Sequence, residues 1–108
     1  MSSKKQRTMG HAAAKPTVDE MLSSRERLNR ASTDFLKIDL ETALTFVKAA
    51  QETNNEFRKR RNRLAARKAY ETIMKLISKV RLTTEDGLRM KEGLYRLKTA
   101  LEELGEQF

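Results

Sequence analysis

From Pro16 to Gly87 the chain runs without an intervening proline or glycine. The one Pro is Pro16, and the four Gly are Gly10, Gly87, Gly93 and Gly105. These two residues supply the backbone conformations of tight turns, and a strand-rich domain needs such turns at short, regular intervals. So long a stretch with neither argues against sandwiches and barrels and predicts an all-α chain. Hydrophobic residues make up 38% and aromatics 6%, with no Trp, so Leu, Ala, Ile, Val and a few Phe must do the packing, a palette that suits helices. At 108 residues the chain is one domain with a modest core.

Residues 1–16 are polar, basic and rich in Ser and Ala, and predict a disordered tail ahead of a single helical domain over 17–108. Thr17 with Glu20 makes a capping-box pattern, and Val18, Met21, Leu22 and Leu28 follow at roughly helical spacing, which predicts a short first helix. From Thr33 or Asp34 the steps of Leu36, Leu40, Ala43, Val47 and Ala50 predict a second, with Phe35, Ile38 and Phe46 widening its apolar face. Thr53, Asn54 and Asn55 form a polar turn. A third helix is expected from Glu56 to Val80, where Ala66, Ala69, Tyr70, Ile73, Leu76, Ile77 and Val80 share one face at about 100° per residue. Thr83, Thr84, Glu85 and Asp86 read as a turn and N-cap, and Met90, Leu94, Leu97, Leu101 and Leu104 stripe a fourth helix that Gly105 is placed to stop.

Catalytic equipment is scarce. There is no Cys, hence no disulfide, thiolate site or Cys nucleophile, and the only histidine, His11, falls in the expected tail. Glu85/Asp86 and Glu102/Glu103 read as helix-terminal acids rather than convergent carboxylates, and no Gly-rich phosphate loop is present. The expectation is a protein that is not an enzyme and carries no cofactor and no metal. Lys4, Lys5 and Arg7 are not followed by the apolar run of a signal peptide, and no run approaches a membrane span. A cytoplasmic protein is expected. Met9-Gly10 offers an alternative start, but Ala14 stands where a myristoylation signal would want Ser or Thr.

The functional colour lies in the charge. The net charge of +8 is unevenly spread: residues 57–81 carry ten bases against Glu71 alone, for +9, while 34–56 amount to −3 and 82–108 to −2. The run Arg58, Lys59, Arg60, Arg61, Arg63, Arg67 and Lys68 is the candidate surface for an anionic partner, with Lys59, Arg60, Arg63 and Arg67 on one broad helical face. The competing reading is a solvated face pairing with Glu52, Glu56, Glu102 and Glu103.

Asn62-Arg63-Leu64-Ala65-Ala66-Arg67-Lys68 resembles the DNA-contacting core of a bZIP basic region, but Ala69 and Tyr70 stand where that family has a small polar residue and then an Arg. A heptad register does run from Leu76 to Leu104, yet it places Thr83 and Gly87 in the seam, so a turn there is expected instead of a zipper. The Ala-Tyr pair is similar to that of tetratricopeptide repeats, whose helices are shorter. Asp39 to Gly105, through Ala69-Tyr70-Glu71-Thr72-Ile73 and Leu82-Thr83-Thr84-Glu85 to Leu101-Glu102-Glu103-Leu104-Gly105, resembles small bacterial helical proteins of unassigned function, which implies no activity.

The sequence therefore predicts a small antiparallel helical bundle of three long helices, with the short first helix closing one side and a free tail. Its expected role is a non-enzymatic interaction module for a protein with an acidic surface. The alternative is nucleic-acid binding through the basic half of the third helix. Self-association is compatible with either, and membrane association is not expected.

Overall fold

A computed structural model describes residues 18–108, with side-chain surroundings from Ser23 onward. Three helices make up the fold: α1, Val18–Glu52; α2, Glu56–Leu76, prolonged by a 3-10 turn over Ile77–Lys79; and α3, Thr84–Glu103. The described residues contain no strand, and the chain is all-α. The expected tail over 1–16 and the Thr17 cap lie outside the described residues.

The expectation of two separate helices before Glu52 is corrected. The short first helix and the second are a single continuous helix, Val18–Glu52, so among the described residues no separate element closes one side of the fold. Thr33, read as a candidate helix start, is buried mid-helix and donates its hydroxyl to the Asn29 carbonyl one turn back at 2.9 Å. A threonine that bonds within the helix in this way is satisfied without ending it. With no Gly or Pro nearby, nothing else stops the chain.

Elsewhere the stops are local chemistry. Asn55 caps α2 by accepting the Arg58 N–H at 2.9 Å, while its own N–H donates to the Thr53 hydroxyl at 3.1 Å. The third predicted helix ends four residues early: α2 stops at Leu76, tightens into the 3-10 turn, and Val80 is extended. Thr83 then caps α3 through Asp86 N–H at 3.0 Å, with Glu85 and Asp86 in the first turn. The helical register from Leu76 to Leu104 is thus broken at Thr83. At the far end Gly105 takes φ +104°, and the Glu106 N–H returns to the Leu101 carbonyl at 2.9 Å, a glycine C-cap that turns the chain back.

The helices share one core. Leu36, Leu40, Ala43, Val47 and Ala50 of α1, Ala66 and Ile73 of α2, and Met90, Leu94, Leu97 and Leu101 of α3 are buried. Full burial of a side chain such as Leu36, Ile73, Leu97 or Leu101 contributes about 1.5–3 kcal/mol. Gly93 lets α3 approach α1, since a Cβ there would collide with the Leu40 side chain. A polar clamp joins α1 to the segment between the 3-10 turn and α3: Asn29 donates to the Arg81 carbonyl and accepts the Arg81 N–H, both at 2.9 Å. The eleven residues Val18 to Leu28 carry α1 about 16 Å beyond that clamp.

Candidate functional site

The basic run opens α2, where backbone N–H groups point outward and the helix dipole favours anions over cations. Glu56 alone complements the dipole in the first turn, and Arg58, Lys59, Arg60 and Arg61 follow at once. Four cations at the positive end of a helix oppose its stability, so their position is not explained by the helix's own needs.

Six of the seven candidate cations divide into two sets. Arg63 and Arg67 are held by the residues after α3. Glu106 Oε2 lies 2.9 Å from Arg63 Nε, an ion pair too bent to be a hydrogen bond, and Glu106 Oε1 accepts from Arg67 Nη1 at 3.1 Å. Arg67 also donates to the Gln107 carbonyl at 2.8 Å and from Nε to Glu71 at 3.0 Å. Its guanidinium sits over the Phe108 ring at 4.0 Å, and that ring meets Tyr70 edge to face at 5.0 Å. The expected shared face of Lys59, Arg60, Arg63 and Arg67 is thereby interrupted, because two of its members are engaged by the C-terminal segment.

Arg58, Arg60, Arg61 and Lys68 form the second set: each is exposed, and among the described residues none makes an ion pair. Lys59 is half-buried. Arg61 packs over Phe57 at 5.7 Å, and Phe57 is itself 72% exposed. Among the described residues the expected counter-charges Glu52, Glu56, Glu102 and Glu103 make no ion pair either; the carboxylates that do reach α2's arginines are Glu71 and Glu106.

Periodicity alone misses the C-terminal clasp, because Glu106, Gln107 and Phe108 follow the last helix. The available signal is an acid and an aromatic just past a glycine cap. Sequence reasoning also leaves out Lys75 and Lys79 as surface residues. Arg61, Lys68 and Lys75 are spaced by seven and lie on one side of α2, with Lys79 four further on, all exposed.

Between α1 and α2, on the side away from α3, runs a shallow groove. Leu28, Ala31, Phe35, Leu76, Lys79 and Val80 line one end, and Phe46, Ala65, Lys68, Ala69 and Thr72 the other. Asp39 lies within it, and desolvation there raises its carboxyl above the ordinary carboxylate range. Among the described residues no three His, Cys, Asp or Glu side chains gather as metal ligands, and no helix is long and apolar enough to cross a membrane.

Compared with protein-family models, with curated proteins and with solved structures, the chain finds no match in any of the three.

Proposed function

We propose that this chain is a cytoplasmic, non-enzymatic interaction module, a small antiparallel bundle whose α2 meets the acidic surface of a partner protein through Arg58, Arg60, Arg61 and Lys68. The up-and-down arrangement is supported by the Asn29–Arg81 clamp and the three-residue turn between α1 and α2. One observation carries the functional reading: these four cations stand exposed and, among the described residues, without a carboxylate, three of them at the helix end where cations are least favourable. Arg63 and Arg67 serve the fold in this reading, since the C-terminal clasp uses their charge.

Nucleic acid is the second reading. It is favoured by the exposed Phe57 beside Arg61, an aromatic placed to stack on a base next to a cationic row. One capture experiment from the native cell separates the two, with wild-type bait and a bait carrying Arg58→Glu, Arg60→Glu, Arg61→Glu and Lys68→Glu. A protein retained by wild type, lost by the reversed bait and resistant to nuclease supports the protein partner. Nuclease-sensitive capture supports nucleic acid. Identical capture by both baits refutes the surface.

A further inference from the structure

We propose that the groove between α1 and α2 is occupied by α1 of a second copy of this chain, with the two α1 helices side by side and parallel. This rests on the reading above, that the cations of α2 meet carboxylates, and names those carboxylates as the ones on α1.

The outward face of α1 carries apolar side chains that no described residue covers: Leu28 is 69%, Phe35 48% and Ile38 62% exposed. Leu28, Phe35, Thr42 and Ala49 recur every seven residues, and Ala31, Ile38 and Thr45 repeat the same step three positions later. That is the spacing of a seam between two helices. In the sequence Met21 continues it into the overhang. Beside this face runs an acidic row, Asp34, Glu41 and Glu52, all exposed and none in an ion pair among the described residues. Across the groove stands the basic row Arg61, Lys68, Lys75 and Lys79.

A two-fold axis parallel to the helices keeps every residue at its own height. The groove fixes which heights match, because Phe35 lines it with Leu76 and Phe46 lines it with Ala65 and Ala69. Asp34 of one copy then comes level with Lys75 and Lys79 of the other. Glu41 falls between Lys68 and Lys75, and Glu52 meets Arg61. An antiparallel axis would instead point the partner's own α2 at the place α2 already fills. The parallel form seats Ile38 and Ala31 on the wall of α2, with the carboxylates along its basic edge and the overhangs at one end. From Leu28 to Glu52 the shared length is about 37 Å, and a helix seated about 8–10 Å from each of two neighbours covers a strip about 16–20 Å wide. The resulting footprint of about 600–750 Å² per copy approaches the roughly 800 Å² of a standard specific interface.

Sedimentation velocity over a concentration series tests this, with circular dichroism to check the fold of each variant. Wild type should approach twice the 12.5 kDa of one chain. Phe35→Asp with Ile38→Asp, at positions the single chain leaves exposed, should keep the helical spectrum and sediment as a monomer. Asp34→Lys with Glu41→Lys should weaken the dimer about tenfold or more. Adding Lys75→Glu and Lys79→Glu should restore it, a rescue that damage to the fold cannot imitate. A wild-type monomer at every concentration overturns the inference, as does a dimer indifferent to these changes or a swap without rescue. A monomer that still captures an anionic partner through Arg58, Arg60, Arg61 and Lys68 would overturn the second-copy assignment and leave the interaction reading standing.

Discussion

Gly93→Ala sets two known effects against each other. Replacing Gly by Ala inside a helix contributes about 1 kcal/mol of stability through backbone entropy. At Gly93 the new Cβ would collide with Leu40 Cδ2 and lie 3.3 Å from its Cγ. Leu40 cannot simply swing aside, since it is 7% exposed and packed in the core. Overpacking of this kind costs about 1–3 kcal/mol, so the net is a loss of up to about 2 kcal/mol. Gly87 supplies the control, for a Cβ there meets nothing within 4 Å and the same substitution should stabilise by up to about 1 kcal/mol. Urea unfolding followed by circular dichroism should separate the two variants by about 2 kcal/mol, roughly thirtyfold in the unfolding equilibrium. In a Leu40→Ala background the obstacle is gone, and Gly93→Ala should turn favourable although Leu40→Ala itself costs about 2–5 kcal/mol. If Gly93→Ala stabilises as much as Gly87→Ala in the wild-type background, the close approach of α3 to α1 is refuted.

Three other substitutions probe the fold's polar contacts. Asp39, whose carboxyl is raised by desolvation, binds its proton more tightly in the folded chain than in the unfolded one, so stability falls as pH rises from the ordinary carboxylate value through the raised one. Asp39→Asn should therefore raise the urea midpoint at neutral pH and leave it almost unchanged in acid below that window; a lower midpoint at neutral pH would contradict the desolvation. Glu106→Ala removes the carboxylate shared by Arg63 and Arg67 and should cost about 1–3 kcal/mol in thermal or urea unfolding, against no change if the clasp is decorative. Asn29→Ala leaves the Arg81 backbone N–H and carbonyl without their partner, and hydrogen exchange should speed up selectively at Arg81.

Most of the core was legible from spacing. Leu36, Leu40, Ala43, Val47 and Ala50 follow the helical period because one face of α1 must be apolar, and all five are buried. Asn55, Thr83 and Gly105 announce their ends because capping depends on the side chain at that position. The join between the first two expected helices was not legible: Thr33 has the chemistry of a cap, and only its bond to the Asn29 carbonyl shows that it serves the helix interior. Of the candidate surface, the sequence identifies the cations of α2 but not their division. That division depends on Glu106 and Phe108 reaching Arg67, a contact across 39 and 41 positions that no local pattern encodes. Phe35 and Ile38 show the same limit, since their apolar character predicts burial and only the packing of α3 on the opposite side leaves them open.

The central claim is that Arg58, Arg60, Arg61 and Lys68, rather than Arg63 and Arg67, meet an anionic partner. Nitrogen-15 correlation spectra of the labelled chain, titrated at low salt with polyglutamate and in parallel with a random-sequence oligonucleotide, test it most directly. The account predicts shifts centred on Arg58 to Arg61 and Lys68 with at least one polyanion, fading as salt is added, while the side-chain signals of Arg63 and Arg67 stay in place. Shifts centred on α3, or displacement of the clasp from Arg63 and Arg67 with Arg58 to Arg61 unmoved, would contradict it.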